Sequence, residues 1–307
     1  MRARLARLAA LAACVLSLQC GGGSPSGPVS PTPSDLIPPS PPVSPPPVPS
    51  TPQVFVGAGD IAMCDGNSAA TARLLDGIGG TVFTTGDNAY FQGTRENFRD
   101  CYEPTWGRHK GRTRPVPGNH DYESRGAIPY FEYFGANAGP YGLGYYSFEI
   151  GAWHAVALNS NIDVSPLSEQ ALWLQADLAA SRARCTVAYF HHPLFSAGPS
   201  GASPSMRTFW RMLYDAGVEL VLNGHEHYYE RLAPQDPDGR PDAARGIRQF
   251  TVGTGGAFLY DPLGRASSSE WQVKAFGVLK LTLRSDGYDW DFIPVSGQHD
   301  TGTGTCH

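Results

Sequence analysis

Residues 81–90 read Thr-Val-Phe-Thr-Thr-Gly-Asp-Asn-Ala-Tyr, a buried strand that ends in a turn and a carboxylate. The five β-forming residues predict the strand, and the Gly-Asp pair marks its carboxyl end. Four further polar motifs follow predicted strands or extended segments, namely Gly59-Asp60, Gly118-Asn119-His120-Asp121, His191-His192-Pro193 and Gly224-His225-Glu226-His227. In open α/β sheets, ligands bind beyond the carboxyl ends of the strands. The five motifs therefore predict one shared metal site at that edge.

Strand-like and helical segments alternate along the rest of the chain. Predicted strands cover residues 53–58, 81–85, 186–190, 218–222, 249–252, 277–284 and 288–293. Predicted helices cover residues 69–75, 96–102, 169–180 and 206–216, and Gly151-Ala152 predicts a hairpin. This alternation predicts a single α/β domain over residues 53–307, with mixed rather than purely parallel sheets.

Length and charge exclude some functions. The 307 residues are 41% hydrophobic, which is enough to bury a sizeable core. The formal net charge is -5, only 23 residues are Lys or Arg, and no dense basic run follows residue 15. Nucleic-acid-binding proteins usually present a basic face, so we expect no nucleic acid partner.

The amino terminus has the composition of an export signal. Three arginines precede a short apolar segment, residues 8–18, which is too short to span a bilayer. Cys20 then precedes a Gly/Ser tether, and this arrangement resembles a bacterial lipoprotein signal over residues 1–20 with Cys20 lipidated. Ordinary cleavage with secretion, and lipidation at Cys14, are the alternatives. We therefore expect an exported protein, periplasmic or on the cell surface, whose only membrane attachment is the lipid anchor.

Residues 21–52 are rich in Pro, Ser and Gly and nearly free of charge. Such a composition favours extended, poorly packed chain. It predicts a linker, which is either a semi-rigid spacer that holds the domain off a membrane or simple low-complexity disorder. Both interpretations predict the same conformation.

Cysteines that remain beyond the signal are Cys64, Cys101, Cys185 and Cys306. An even number in an exported chain predicts two disulfides, for which three pairings are possible. We prefer Cys64–Cys101, which would join the loops after the first two metal-site strands, and Cys185–Cys306, which would tie down the C-terminal tail. A zinc site at Cys306-His307 is disfavoured because the sequence has no Cys-x-x-Cys partner for it.

The residue types at the strand ends suit metal ions. Asp60 and Asp87 offer carboxylates from adjacent strands, and one of them can bridge two ions. Hard cations prefer oxygen donors, and imidazole suits zinc, iron and manganese. The remaining candidates supply an amide oxygen or an imidazole, and they are Asn119, His191, His225 and His227. The glycines that precede most of these residues allow sharp turns and close approach.

The order of the motifs resembles that of the calcineurin-like metallophosphoesterase superfamily across nearly all of residues 54–253. Many members begin with Asp-x-His, but here Asp60-Ile61-Ala62 lacks that histidine. The purple acid phosphatase branch also lacks it and uses the Tyr of Gly-Asp-x-x-Tyr, where this chain has Tyr90. Residues 224–231, Gly-His-Glu-His-Tyr-Tyr-Glu-Arg, are likewise similar to that branch.

The resemblance implies a four-layer α/β/β/α sandwich of two mixed β-sheets that carries two metal ions. The first ion would be held by Asp60, Asp87, Tyr90 and His227, and the second by Asp87, Asn119, His191 and His225. Asp87 would bridge the two ions. An anionic tyrosinate favours Fe(III) in the first position, with Zn, Mn or Fe(II) in the second.

The implied reaction is hydrolysis of a small-molecule phosphate monoester by a metal-activated hydroxide. His120 would protonate the leaving alkoxide with Asp121 orienting it, and His192 would contact the phosphate or support the site. Phosphodiesterase or nucleotidase chemistry on the same site is the alternative. A surface binding protein with a degenerate centre is disfavoured because all seven ligands are intact. The sequence leaves the physiological substrate and the oligomeric state open.

Overall fold

The computed structural model describes residues 51–307. The predicted export signal, with Cys20, and all but two residues of the predicted linker lie outside the described residues. Within residues 51–307, no helix is both long enough and apolar enough to cross a membrane.

Thirteen strands and six α-helices form the described part of the chain. The strands are β1 (Gln53–Ala58), β2 (Thr81–Thr85), β3 (Thr113–Val116), β4 (Tyr146–Ile150), β5 (Trp153–Ala157), β6 (Cys185–Tyr189), β7 (Leu220–Asn223), β8 (Tyr229–Leu232), β9 (Arg248–Val252), β10 (Ser269–Val273), β11 (Gly277–Leu283), β12 (Gly287–Pro294) and β13 (Asp300–Thr305). The helices are α1 (Ser68–Asp76), α2 (Arg95–Asn97), α3 (Asn119–Glu123), α4 (Ile128–Phe134), α5 (Glu169–Ala180) and α6 (Arg207–Asp215). A π-helical turn, Phe98–Tyr102, continues α2, and short 3-10 segments cover Trp106–Arg112, Arg125–Ala127, Gly135–Ala138 and Pro204–Met206.

The strands form two mixed sheets. The first sheet has the order β13-β12-β11-β1-β2-β3, and the second has the order β10-β8-β9-β7-β6-β5-β4. β1, β2 and β3 run parallel in the first sheet, as do β5, β6, β7 and β9 in the second. The remaining neighbours pair antiparallel. The predicted pair of mixed sheets is therefore confirmed.

The two sheets pack face to face, with helices on their outer sides. Between the sheets, Phe55 of β1 lies 5.6 Å from Tyr189 of β6, and Tyr229 of β8 stacks on Phe292 of β12 at 4.0 Å, measured between ring centroids. Outside the second sheet, α5 and α6 bury a separate apolar cluster that includes Ala171, Leu174, Phe209, Trp210 and Leu213. Helix α1 lies against β11 of the first sheet. This arrangement is the predicted α/β/β/α sandwich.

Several predicted elements coincide with the observed ones. β1, β2 and α5 have the predicted bounds. Ser168 caps α5, because its side chain accepts a hydrogen bond from Ala171 N at 3.1 Å, and such a cap contributes about 1 kcal/mol. The predicted hairpin is formed by β4 and β5, and its turn contains Gly151 at φ 62°. Glycine suits this turn because L-residues rarely adopt positive φ.

β13 is not among the predicted strands, and neither are β8 and β10. The β13 sequence, Asp-Thr-Gly-Thr-Gly-Thr, contains two glycines, which weaken strand propensity. Both glycines lie under aromatic rings of β12: an added Cβ would lie 2.1 Å from Trp290 Cζ2 at Gly302 and 2.4 Å from Tyr288 Cζ at Gly304. This strand therefore depends on tertiary packing, which local sequence patterns do not reveal.

Both preferred disulfide pairings are confirmed, since Cys64 is bonded to Cys101 and Cys185 to Cys306. The first disulfide joins the loop after β1 to the π-helical turn after α2. The second joins the end of β13 in the first sheet to the start of β6 in the second sheet. The Cys185–Cys306 bond therefore links the two sheets covalently.

Candidate metal centre

The polar motifs meet where the parallel strands of both sheets end. The first sheet supplies Asp60 after β1, Asp87 after β2 and Asn119 after β3. The second sheet supplies the imidazoles that follow β6 and β7, which are His191, His225 and His227. The carboxyl ends of parallel strands lie at one edge of a sheet, so residues that are distant in sequence become neighbours.

Three of these residues have a backbone conformation that L-residues seldom adopt. Asp60, Asp87 and His225 have φ of 58°, 50° and 70°. This left-handed region costs about 1–3 kcal/mol for a non-glycine residue and persists where the surroundings impose it. Hydrogen bonds impose it here: Asp60 N donates to Gly86 O at 3.0 Å, and His225 N donates to Asp60 Oδ2 at 2.9 Å. Such strained residues cluster at functional sites.

Two glycines let the backbone approach the carboxylates closely. A Cβ at Gly118 would lie 2.1 Å from Asp87 Oδ1, and one at Gly224 would lie 2.6 Å from Asp60 Oδ2. Both distances are too short for real contacts, so a larger residue would displace the carboxylate. Glycine is therefore required at these two positions for steric reasons.

The first cluster of donor atoms is centred on the phenol of Tyr90. Its Oη lies 3.0 Å from Asp60 Oδ1, 3.0 Å from Asp87 Oδ2 and 3.1 Å from His227 Nε2. His227 Nε2 also lies 3.1 Å from Asp60 Oδ1. These four buried residues are the predicted ligands of the first ion, and their donor atoms converge.

The second cluster is centred on His191. Its Nε2 lies 2.9 Å from Asn119 Oδ1, 3.1 Å from His225 Nδ1 and 3.4 Å from Asp87 Oδ2. These four residues are the predicted ligands of the second ion. Donor atoms of Asp60, Asp87 and His191 all lie within 4.8 Å of one another, so the two clusters are contiguous.

Asp87 belongs to both clusters through one oxygen. Its Oδ1 accepts a hydrogen bond from His120 N at 2.8 Å, which fixes the carboxylate. Its Oδ2 lies between the Tyr90 phenol, at 3.0 Å, and the His191 imidazole, at 3.4 Å. An oxygen in this position can be shared by two metal ions.

Backbone carbonyls orient two of the imidazoles. His191 Nδ1 lies 2.8 Å from Thr85 O, and His227 Nδ1 lies 2.5 Å from Phe258 O. Because a carbonyl only accepts, Nδ1 carries the proton in each ring, and the Nε2 of the neutral ring keeps its lone pair. Metal-binding histidines are commonly held in this way.

The buried carboxylates of Asp60 and Asp87 favour positive charge nearby. Burial, followed by the negative charges of Asp60 and Asp87, raises the pKa of Tyr90 well above its usual value. Burial is the largest single influence on His191 and opposes its charge, but Asp87, Asp60 and the Thr85 carbonyl together raise the pKa of that imidazole to about 9. Within residues 51–307, no Lys or Arg side chain hydrogen bonds or ion-pairs with these groups. The Tyr90 phenol donates to Asp60 and Asp87, and bound hard cations would lower its pKa, so the oxygen-rich donor set fits such ions.

His120 lies at the open side of the first cluster, with 29% of its side chain exposed. Its Nδ1 lies 2.6 Å from Phe91 O, and its Nε2 lies 3.9 Å from Asp87 Oδ2. Its ring centroid lies 4.4 Å from that of Tyr90. The Nε2 atom therefore faces the site, where it can exchange a proton with a bound ligand.

The expected contact between Asp121 and His120 is wrong. The buried Asp121 carboxylate accepts hydrogen bonds from Gly118 N at 2.9 Å and from Asn88 Nδ2 at 2.9 Å. Adjacent residues of α3 project about 100° apart, so the two side chains diverge. Burial, followed by the charge of Asp87, raises the pKa of Asp121 to about 6. Asp121 joins the loops after β2 and β3, and the Phe91 carbonyl orients His120 instead.

His192 lies beside the second cluster. Its ring centroid lies 4.5 Å from that of His225, and its Nδ1 lies 2.7 Å from Ser160 Oγ. Burial, followed by the nearby charge of His191, lowers the pKa of His192 to about 2, so the ring is neutral. A donor atom of His192 lies within 4.8 Å of one on His191 and one on His225, close enough to touch a ligand bound there.

A family model of the calcineurin-like phosphoesterases matches residues 54–229, which include all seven predicted ligands. The chain belongs to the calcineurin-like phosphoesterase family. This confirms the family that the motifs predicted. Purple acid phosphatase 18 of Arabidopsis thaliana is 30% identical over 229 residues, which cover 67% of this chain and 50% of that relative. Purple acid phosphatase 21 of the same plant is 31% identical over 270 residues, which cover 76% of this chain and 57% of that relative. The chain thus spans about half the length of these relatives.

The fold of this phosphoesterase is also similar to that of a solved purple acid phosphatase. The match is to the protein PPD1 from yellow lupin (Lupinus luteus) seeds, with a TM-score of 0.68 and 19% sequence identity. It covers 85% of this chain and 55% of the lupin chain. The likeness therefore supports the sandwich architecture described above.

In this phosphoesterase, the position at which the expected histidine is missing lies on the segment that pairs with the one carrying Tyr90. Ala62 is buried, its N donates to Asn88 O at 3.1 Å, and its O accepts from Tyr90 N at 2.8 Å. Ala62 therefore pairs with Ala89, the residue before Tyr90, across two parallel chain segments. Positions 62 and 90 therefore lie on adjacent, hydrogen-bonded segments at the same edge of the first sheet.

Two exposed phenylalanines beside the phosphoesterase site were not predicted from the sequence. Phe91 is 48% exposed and Phe258 is 41% exposed, and their carbonyls hold His120 and His227. Phe258 follows a glycine-rich segment, residues 253–256, that comes after β9. These glycines follow the end of a sixth strand, in addition to the five motifs, and they were the sequence signal that could have predicted this further segment of the site.

Glu226 lies between His225 and His227 in the sequence, and its side chain holds the neighbouring loop, residues 196–201, in place. Its fully buried carboxylate accepts hydrogen bonds from Ser196 Oγ at 2.8 Å and from Gly201 N at 2.7 Å. A Cβ at Gly198 would lie 2.0 Å from Glu226 Oε2, so the loop wraps tightly around the carboxylate. Residues 196–201 are therefore held close to the candidate metal centre.

Proposed function

We propose that this protein hydrolyses small phosphate monoesters in the manner of a purple acid phosphatase. The observation that carries the proposal is the position of Tyr90 Oη, which lies within 3.1 Å of Asp60, Asp87 and His227. This is the place at which a tyrosinate would serve as a metal ligand. The purple acid phosphatases among its relatives support the same activity.

We further propose that the site holds Fe(III) beside Tyr90 and Zn, Mn or Fe(II) beside His191. The ligands would be Asp60, Asp87, Tyr90 and His227 for the first ion and Asp87, Asn119, His191 and His225 for the second. An anionic phenolate favours a ferric ion, whereas an amide oxygen and imidazoles suit a divalent one. When bound, such a pair polarises phosphoryl oxygens and lowers the pKa of water.

Side chains of this protein would then handle the ester and the proton. Hydrolysis forms a bond from the water oxygen to phosphorus and breaks the bond from phosphorus to the alcohol oxygen. His120 gives its Nε2 proton to that departing oxygen, because the Phe91 carbonyl holds Nδ1 and turns Nε2 towards the site. His192, whose Nδ1 is held by Ser160, contacts the phosphate.

A substrate panel tests the activity. Protein loaded with iron and zinc should hydrolyse alkyl and aryl monoesters in preference to diesters, cyclic nucleotides and nucleotides. A preference for diesters or nucleotides would instead support the phosphodiesterase or nucleotidase alternative on the same site. Failure to hydrolyse any phosphate ester, with both ions bound, would overturn the proposal.

A visible spectrum tests the tyrosine ligand. The ferric protein should absorb visible light through charge transfer from tyrosinate to iron, and Tyr90→Phe should remove this band. Tyr130→Phe is the matched control, because the Tyr130 phenol is buried but bonds to Pro115 O at 3.0 Å, outside both clusters. A band that survives in Tyr90→Phe would exclude Tyr90 as an iron ligand.

We also propose that the protein is exported and anchored through a lipid on Cys20, and that it acts on small substrates rather than on nucleic acid. Its two disulfides support an oxidising compartment. Cell fractionation should place it with membranes, and Cys20→Ala, but not Cys14→Ala, should release it. Wild-type protein that is soluble outside the cell would indicate ordinary cleavage, and protein confined to the cytoplasm would overturn export.

A further inference from the structure

Three aromatic side chains surround the open side of the candidate metal centre. The ring of Phe91 lies 5.8 Å from Tyr90 and 6.3 Å from His120, measured between centroids. The ring of Phe258 lies 6.5 Å from Tyr90 and 4.8 Å from His227. Phe91 and Phe258 thus flank the Tyr90 phenol, one on the side of His120 and the other on the side of His227.

Tyr260, the third aromatic residue, packs against His227 and Phe258. The Tyr260 ring is stacked on His227, with 4.2 Å between centroids and 12° between planes, and it lies 5.3 Å from Phe258. Tyr260 is half-buried, whereas Phe91 and Phe258 remain 48% and 41% exposed. Large apolar side chains at a site entrance are exposed at a cost unless a ligand covers them.

The backbone of both phenylalanines is held against the two imidazoles. The carbonyl of Phe91 binds His120 Nδ1 at 2.6 Å, and the carbonyl of Phe258 binds His227 Nδ1 at 2.5 Å. The same residues that orient these two imidazoles therefore also present the phenyl rings. The alcohol portion of an ester whose departing oxygen lies near His120 would come close to the Phe91 ring, whose centroid lies 6.3 Å from that of His120.

In the described residues, the polar groups of the site have no basic side chain as a bonding partner. Within residues 51–307, no Lys or Arg side chain hydrogen bonds or ion-pairs with a predicted ligand, with His120 or with His192. Additional phosphate groups on a substrate would usually be bound by such side chains. An uncharged alcohol portion fits the surroundings better than a highly charged one.

We propose that Phe91 and Phe258 select phosphate monoesters whose alcohol portion is an uncharged aromatic ring. This inference rests on the proposed phosphomonoesterase function and names its substrate class. The phenyl rings bind the aromatic ring by apolar contact and offset or edge-to-face packing, while the phosphate lies at the metal centre. Aromatic pairs of this kind contribute roughly 3- to 10-fold in affinity.

The test compares benzyl phosphate with ethyl phosphate, whose departing alcohols are both primary. The wild-type protein should show the higher kcat/KM for benzyl phosphate. Phe91→Ala and Phe258→Ala should each lower the benzyl-to-ethyl ratio of kcat/KM by roughly 3- to 10-fold, and the double variant should lower it further. Tyr141→Ala is the matched control, because the exposed Tyr141 ring contacts Phe131 and no predicted ligand.

A binding measurement separates recognition from damage to the site. Inhibition constants for phenylphosphonate and inorganic phosphate should diverge in the Phe258→Ala and Phe91→Ala variants, with phenylphosphonate weakened more. If the variants weaken both inhibitors equally, or leave the benzyl-to-ethyl ratio at its wild-type value, the inference is overturned while the proposed function stands. If the wild-type protein hydrolyses neither ester, the proposed function fails and this inference fails with it.

Discussion

The two sheets contribute chemically different halves of the candidate metal centre. The first sheet carries the oxygen donors, which are Asp60, Asp87, Tyr90 and Asn119, and the second carries the imidazoles, which are His191, His225 and His227. Each proposed ion takes donors from both halves. The site is therefore complete only when the sheets are packed against each other, and metal binding should stabilise that packing.

Asp87→Asn should have the largest effect, because Asp87 Oδ2 is the oxygen that reaches both clusters. The rate should fall about 10³-fold or more, since metal-ion charge stabilisation is worth several kcal/mol. Metal analysis should show loss of both ions. Asp289→Asn is the matched control, because Asp289 is a half-exposed carboxylate on β12 that pairs with Arg284. An Asp87→Asn protein with two ions and a normal rate would refute the shared ligand.

Single histidine variants should separate the two ions. His227→Ala should release the ion beside Tyr90 and remove the visible band, whereas His191→Ala should release the other ion and keep the band. Each should lower kcat about 10²-fold or more. His299→Ala serves as control, because His299 is exposed and pairs with Asp291 at 2.7 Å. Equal loss of both ions in the two variants would show that the clusters are not independent.

Removal of each disulfide measures how much stability depends on joining the sheets. Cys185–Cys306 links the sheets across a sequence separation of 121 residues, and Cys64–Cys101 spans 37. In the loop-entropy model, these bonds contribute about 5 and about 4 kcal/mol to the free energy of unfolding. Urea unfolding of the two Cys→Ala double variants should therefore rank Cys185–Cys306 as the costlier loss. The reverse ranking would show that the Cys64–Cys101 bond contributes more to the free energy of unfolding than the bond between the sheets.

Glu219 lies beside the Cys185–Cys306 disulfide, and its ionisation should have a smaller, pH-dependent effect on stability. Its carboxyl is buried, Oε2 accepts from Thr186 N at 2.6 Å, and burial raises its pKa from 4.5 to about 7. The folded protein therefore holds this proton more tightly than the unfolded chain, so stability falls as pH rises from 4.5 to about 7. The loss is at most about 3 kcal/mol. Glu219→Gln should lack this part of the pH dependence, and identical pH profiles for the two proteins would contradict the shift.

The sequence predicted well which side chains converge at the candidate metal centre, because each of them is tied to a local pattern. A run of β-formers followed by Gly-Asp or Gly-His identifies a strand end, and strand ends of parallel strands share an edge. The bounds of β1, β2 and α5 were likewise fixed by local signals, such as the Ser168 cap. Boundary shifts at β6, β7 and α6 amounted to a few residues or fewer.

Contacts between distant segments were predicted less well. Asp121 follows His120 in sequence, which suggested a pair, but α3 turns its carboxylate to Asn88 and Gly118. The carbonyl that orients His120 belongs to Phe91, and any residue could supply it, so no residue pattern marks it. Phe258 was missed for the same reason, because its carbonyl reaches His227 only through the position of the end of β9 in the fold.

By itself, the sequence determined the family, the two mixed sheets, the candidate ligand set and the absence of the usual histidine at position 62, for which Tyr90 is the proposed replacement. These features follow from the types of residue at the strand ends, which form short motifs that can be recognised in the sequence. Only the tertiary structure decided which oxygen of Asp87 reaches both clusters, what orients His120, and that Phe91 and Phe258 flank Tyr90. Those relations depend on contacts between the loops that follow different strands, within the first sheet and between the two sheets, and such distances have no counterpart in local sequence.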